Sequence, residues 1–223
     1  MKKLQSQIRP SATYIGLIIA LLAGPALVAG FRLITGENHS DLQVISRELI
    51  IFATVGMLLW LVKRQEKLPL TSIGLHRDKL GKSVLWGLLL TVISLVITVG
   101  LYLLLQQFGV HLGSSDNNSY RPSLWVVTLI MLRAGVAEEI FYRGYAIERL
   151  QSLTSSKWLA GLVPLAMFAA AHYRQGIGGI FAAFILGGIL TIFYMKRRDL
   201  VANITGHCLT DFVLNVLLPL LGG

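Results

Sequence analysis

The sequence predicts an all-α membrane protein, a polytopic helix bundle with about seven transmembrane helices. The chain of 223 residues is 54% hydrophobic and only 14% charged, which is roughly half the charged fraction of a soluble domain. Apolar runs of about 20 residues, the length that crosses a bilayer, recur along it. Its net charge of +9 is explained by basic links between these runs, so nucleic-acid binding is not expected.

The predicted spans cover about residues 14–34, 44–62, 84–105, 124–147, 158–173, 177–195 and 200–220. Pro25 is expected to kink the first, which we interpret as an uncleaved span. The third is nearly free of charge and is expected to be a lipid-facing scaffold. Residues 106–123, rich in Gly, Ser and Asn, predict a loop. The prediction is therefore one integral membrane domain over 1–223, with scaffold spans in 1–123 and a catalytic core in 124–216.

The distribution of Lys and Arg predicts how the bundle is oriented. Successive links, from the N-terminal tail onward and leaving out Arg143, contain 3, 0, 6, 1, 2, 1 and 3 basic residues, and none follows the last span. Larger and smaller values alternate, so we expect the N-terminus in the cytoplasm and the C-terminus outside. Cys208 is the only cysteine, which excludes an intrachain disulfide and predicts helix packing rather than a nucleophile.

The fourth span carries two adjacent carboxylates, Glu138 and Glu139, followed by Arg143. Glu139 and Arg143 are four residues apart and share one face of a helix, so this glutamate has a partner within its own helix. Glu138 points about 100° away from it and is expected to lack a partner. A buried, unpaired, titratable group in a membrane is first of all a functional candidate.

Two further polar positions lie in the spans that follow. His207 and Asp211 are four residues apart on the seventh span, a spacing that suits two metal ligands or two groups gripping one oxygen. Asn203 lies one turn earlier, either as a supporting partner or as an ordinary helix residue. His172, after three alanines, either belongs to the same site or lies at the membrane interface.

Charged and histidine side chains at membrane depth are costly unless they satisfy one another. We therefore expect them to meet in one water-containing cavity. At about 1.5 Å per residue, Glu138 and His207 have compatible depths. The predicted depth of His172 is too close to the outer face to match theirs, unless its helix begins near Gly161 or tilts. The complete set is Arg133, Glu138, Glu139, Arg143, His172, His207 and Asp211.

Three motifs occur in order on successive hydrophobic segments: EExxxR at Glu138, Glu139 and Arg143, FxxxH ending at His172, and HxxxD at His207. This order resembles the CPBP family, the CAAX-protease and bacteriocin-processing group of intramembrane endopeptidases, also called the Abi family. The resemblance covers roughly residues 124–216 and leaves out the first three spans.

The resemblance implies a role for each motif residue. Glu138 would be the general base that activates a water, assisted by His172. Glu139 would be the structural partner of Arg143. His207 and Asp211 would stabilise the oxyanion of the tetrahedral intermediate. The family position of Asp211 is commonly Asn or Asp. An ionised Asp would repel an oxyanion, so Asp211 would have to be protonated, hydrogen-bonded to His207 or a metal ligand.

The cofactor stays open at this point. The family is often labelled metalloprotease, and a metal-free glutamate mechanism is the alternative. The sequence contains no HExxH. A zinc shell could be formed by Glu138, His172, His207 and Asp211.

The function implied is hydrolysis of a membrane-associated, prenylated or leader-type peptide, in the plasma (inner) membrane of a bacterium. The expected partners are the lipid bilayer and that peptide. One alternative is a non-catalytic bacteriocin self-immunity or scaffold protein of the same fold. Another is a proton- or ion-coupled transporter, against which the sequence has no inverted repeat.

Overall fold

The computed structural model describes residues 10–36, 40–110 and 120–222, and this part of the chain is helical without a strand. The all-α prediction is confirmed. Seven continuous helices follow one another in the described residues. They are α1 (Pro10–Thr35), α2 (Asp41–Gln65), α3 (Leu80–Gln107), α4 (124–154), α5 (Lys157–Ala170), α6 (Gly176–Arg197) and α7 (200–222).

Five of these helices, α1, α2, α3, α6 and α7, are long and apolar enough to cross a membrane. The other two differ from the predicted spans for separate reasons. Helix α4 carries the charged motif, and α5 has only 14 residues. The predicted N-terminal tail and the predicted loop 106–123 lie partly outside the described residues.

The middle of α4 is wound as a π-helix over Ala134–Ile147, with hydrogen bonds from residue i to i+5 in place of the α-helical i to i+4. Nearly all of this segment is buried, which places α4 at the centre of the bundle. Glycines let α7 approach it. A Cβ on Gly135 would lie 2.3 Å from Cys208 Sγ, and one on Gly144 would lie 2.8 Å from Leu200 Cδ2.

The start of α4 is tied to the start of α2 by a shared carboxylate. Ser123 donates a 2.5 Å hydrogen bond to Asp41, and the Tyr120 hydroxyl donates to the same side chain. Burial, reinforced by the bond to Asp41, raises the pKa of Tyr120 to about 12. The phenol therefore remains a donor at any physiological pH.

Helix α3 is more than a lipid-facing scaffold. Its small and polar residues form a buried stripe that packs against α7. A Cβ on Gly87 would lie 2.5 Å from Thr205 Cβ, and one on Gly206 would lie 2.8 Å from Leu90 Cβ. Thr91 donates to the carbonyl of Gly87 at 3.0 Å. The remaining faces expose Leu and Val, so the predicted lipid contact holds for those faces only.

A buried polar group, which we call the Glu66 cluster, joins α1, α2, the following loop and α4. Glu66 accepts from Arg149 Nη2 at 2.7 Å, from the Tyr145 hydroxyl at 2.8 Å and from Thr13 at 3.0 Å. Arg149 also donates to Ser72 at 3.1 Å. Both charged side chains are 1% exposed or less. The sequence assigns both residues to polar links, and the structure instead buries them as a clamp between helices.

Candidate active site

Glu139 is a fully buried carboxylate that collects donors from two helices. Arg143 Nη1 donates to its Oε1 at 2.7 Å. Asn203 Nδ2 donates to its Oε2 at 2.9 Å, and His207 Nδ1 lies 2.9 Å from its Oε1. Of the two interpretations of Asn203, the structure favours the supporting partner. Glu139 therefore does more than pair with Arg143, because it also fixes a histidine on α7.

Glu138 has a very different environment, and the prediction that it lacks a partner is wrong. Arg133 Nη1 donates to Glu138 Oε1 at 3.2 Å. Residues five apart diverge on an α-helix but approach one another where the hydrogen bonds run from i to i+5. The pair therefore follows from the π-helical winding. The Glu138 side chain is still 22% exposed, whereas Glu139 is completely buried.

Arg133 is held from its other side by α2. Its Nε donates to Glu48, and Arg47 Nη2 lies 2.6 Å from the same carboxylate. Glu48 is completely buried. A carboxylate inside an apolar run was the available signal, but the sequence does not show which helix supplies its partner.

His172 lies just beyond the end of α5, where Nδ1 is 2.8 Å from the carbonyl of Phe168. A carbonyl only accepts, so Nδ1 carries the hydrogen and Nε2 is left as an acceptor. Helix α5 begins at Lys157, so a late start near Gly161 does not explain the depth of His172. The helix has 14 residues, about 21 Å at 1.5 Å per residue, and the alternative that it tilts stays a prediction.

The Phe168 ring links the polar residues of three helices. The Arg143 guanidinium lies 4.3 Å from its centroid, and the rings of His172 and His207 lie at 4.7 Å and 6.3 Å. Helix α6 closes over this arrangement at Gly187, whose carbonyl accepts from Arg143 Nη2 at 3.0 Å. The FxxxH motif thus includes an aromatic platform as well as a histidine.

His207 is bracketed by two carboxylates. Its Nδ1 faces Glu139, and its Nε2 lies 3.5 Å from Asp211 Oδ2. The second separation is longer than a good hydrogen bond. A proton on Nε2 therefore remains available to another acceptor in the space beside Asp211.

Glu138, His172, His207 and Asp211, the four residues expected to act on substrate, line one cavity of about 350 Å³. A second cavity of about 560 Å³ lies on the side of α1 and α2. The two cavities share six lining residues: Ile130, Arg133, Glu138, Phe168, His172 and Gln175. Glu138 and His172 therefore lie where the cavities meet, while His207 and Asp211 belong to the smaller one.

The residues of this site do not fit the four-ligand zinc shell. In the part of the chain that the structure describes, no three His, Cys, Asp or Glu side chains group closely enough to hold a metal ion.

Comparison with known proteins gives one match. Residues 120–213 match the family model described as type II CAAX prenyl endopeptidase Rce1-like. Over these residues, which we call the Rce1-like segment, the chain is similar to that family. The resemblance predicted from the three motifs is confirmed, although the Rce1-like segment covers less than half of the chain. No curated protein and no solved structure matches.

The Rce1-like match and the helices point to the same class of protein. The family implies a protease, and the five long apolar helices agree with a membrane location. The chain is an integral membrane protein. Helices α1, α2 and α3 all precede the matched segment, so Arg47 and Glu48 lie outside it.

Proposed function

We propose that this protein is an intramembrane endopeptidase in which Glu138, assisted by His172, activates a water for attack on a peptide bond. The observation that carries the proposal is the single cavity that Glu138, His172, His207 and Asp211 line together. These side chains come from three separate helices, and gathering them in a bilayer is costly without a task. The Rce1-like segment independently points to peptide hydrolysis.

In this mechanism Glu138 takes a proton from water while the oxygen attacks the peptide carbonyl. The carbonyl oxygen becomes an oxyanion, and the C–N bond breaks as the proton passes from Glu138 to the leaving amine. His172 Nε2 accepts a hydrogen bond from the water and orients it. Arg133 engages Glu138 Oε1, so the proton is received on Oε2.

His207 is the group suited to the developing negative charge. Glu139 accepts the Nδ1 hydrogen, and in the imidazolium form of His207 the Nε2 hydrogen is donated into the cavity. Asp211 lies 3.5 Å from Nε2 and favours that proton. In this assignment Asp211 acts on the oxyanion through His207, which avoids direct repulsion by its carboxylate.

The two cavities offer a path for a substrate that crosses the site. The larger one is lined by apolar residues of α1, α2 and α4 together with four arginines, and its apolar part suits the lipid-associated part of a membrane-bound, prenylated or leader-type peptide. The scissile bond would lie at the junction, beside Glu138 and His172. The smaller cavity would hold the segment on the other side of that bond.

The basic end of the bundle supports a cytoplasmic N-terminus. The carbonyl of Gly74 accepts from Leu200 N at 3.0 Å, and Ser83 donates to Asp199 at 2.8 Å. The two most basic described links, 63–79 and 196–199, therefore lie together. By the positive-inside rule this end faces the cytoplasm.

The proposal is tested with protein reconstituted in liposomes and a panel of fluorogenic prenylated and leader-type peptides. Glu138→Gln and His172→Ala should each abolish cleavage while leaving the thermal unfolding temperature near wild type, because neither residue belongs to the fully buried core. Glu148→Gln, at the remote pair with Arg198, is the control and should retain activity. Cleavage that survives Glu138→Gln would overturn the proposal.

A further inference from the structure

Resting on the proposed function, we propose that Glu48 is a positioning residue for the catalytic carboxylate. It acts through Arg133, which spans the distance between Glu48 on α2 and Glu138 on α4. We call these three residues the Glu48 chain. Since Glu48 precedes the Rce1-like segment, this assigns part of the active site to a region outside it.

The contacts of the Glu48 chain run in one direction, from the protein interior to the cavities. Glu48 is fully buried, the Arg133 side chain is 11% exposed, and Glu138 is 22% exposed. Arg133 donates through Nε to Glu48 and through Nη1 to Glu138. The fully buried member therefore anchors the chain, and the most exposed member faces the substrate space.

Glu48 determines where the Arg133 guanidinium can lie. The guanidinium is planar and presents its donors in a fixed fork. With Nε directed at Glu48, the plane is set and Nη1 meets Glu138. Without Glu48, rotation about the long side chain would release Glu138 from its position between the cavities.

The charges also explain why Glu48 can be buried. An ionised carboxylate within a membrane helix is costly unless paired, and Glu48 has two arginine partners, Arg47 and Arg133. Either arginine can be lost while the other remains. Each contact of the Glu48 chain can therefore be tested by a single substitution.

The first measurement separates kcat from KM in reconstituted protein. Glu48→Gln should lower kcat on the order of 100-fold, as expected when a reacting group is misplaced, with KM close to wild type because Glu48 lines neither cavity. Glu66→Gln is the matched control: it also removes the charge of a buried, arginine-paired glutamate, which lies directly after the end of α2. It should leave the kcat of the folded protein unchanged. Equal kcat in Glu48→Gln and wild type would overturn the inference.

The second measurement asks whether Glu48 acts through Arg133. In an Arg133→Gln background, Glu48→Gln should cause no further loss of kcat, since the link is already broken. Arg133→Lys should not restore full activity, because one ammonium cannot reproduce the fork. If the two substitutions instead lower kcat independently, so that their effects multiply in the double variant, Glu48 does not act through Arg133.

The third measurement needs neither catalysis nor substrate. The infrared carboxylate band that disappears in Glu138→Gln should shift in Glu48→Gln and stay in place in Glu66→Gln. A band that does not move in Glu48→Gln overturns the inference even if every variant is inactive. Absence of Glu138-dependent cleavage in wild type, together with a shifted band, would instead reject only the endopeptidase and leave the positioning contact standing.

Discussion

The Glu66 cluster and the Glu48 chain both connect α2 to α4 through glutamate and arginine, and both start from a carboxylate with almost no exposure. In the Glu66 cluster, one carboxylate receives three different side chains, and every member is turned inward. In the Glu48 chain the same residue types end at Glu138, which lines two cavities.

The difference shows what separates a structural ion pair from a chemical one in the same bilayer. Burial and pairing are common to both groups. The Glu48 chain differs because it ends at Glu138. Only one oxygen of this carboxylate is bonded to Arg133, and the side chain lines the two cavities together with His172. Perturbing the Glu66 cluster should therefore affect stability alone, and breaking a fully buried ion pair of the site should affect stability and cleavage together.

The largest effect is expected from Arg143→Ala in the site. The substitution removes the guanidinium that lies 2.7 Å from the fully buried Glu139 carboxylate. Removing one partner of a buried ion pair lowers the free energy of unfolding by about 3–5 kcal/mol. Cleavage should be lost as well, since Glu139 also holds His207. Denaturant unfolding in detergent and a cleavage assay measure the two effects. Wild-type cleavage by the folded variant would contradict this role of Glu139.

In the Glu66 cluster, Arg149→Ala should destabilise the protein as strongly as Arg143→Ala does, but it should not reduce cleavage. Glu66 would keep its hydroxyl partners Tyr145 and Thr13 but lose its cation, again at about 3–5 kcal/mol. The fraction that remains folded should cleave at the wild-type rate. A specific activity that falls in proportion to that of Arg143→Ala would remove the distinction between the two groups.

A smaller effect is expected at Gly187, where α6 closes over the site. A Cβ there would lie 2.8 Å from the Phe168 ring and 2.9 Å from Arg143 Nη2. Gly187→Ala should cost about 1–3 kcal/mol, as for other overpacked sites, and reduce kcat by displacing Phe168 from His172. Gly188→Ala is the control, because its nearest neighbour would be at 3.8 Å. Identical behaviour of the two variants would argue against a tight site at Gly187.

The smallest effect is expected at the surface. Arg198 pairs with Glu148 at 2.6 Å, but its side chain is 51% exposed. Solvent screening limits such a pair to about 0–1 kcal/mol. Arg198→Gln should therefore leave the free energy of unfolding nearly unchanged. Raising the salt concentration should reduce the remaining difference between the variant and wild type. A loss as large as that of Arg149→Ala would mean that exposure is a poor guide to these pairs.

The sequence predicts the helical bundle and the motif residues because apolar run length and four-residue spacings are local properties. It fails at Glu48 and Glu66, since a charged residue in or beside a span does not disclose a partner on another helix. It also fails at Glu138, because the pairing with Arg133 depends on the π-helical winding of α4. The depth of His172 depends on where α5 stops, and hydropathy does not fix that boundary.

The shortness of α5 has a consequence for the lipid around it. At about 21 Å it falls well below a hydrocarbon thickness near 30 Å, and exposed Trp158 lies at its start, where an aromatic ring suits the headgroup level. A bilayer of that thickness beside α5 would have to thin, or let water descend towards the far end of the helix. This thinned region of the bilayer would give His172 a route to water that the longer helices do not provide. The supply of the reacting water would then depend on the acyl-chain length of the lipids.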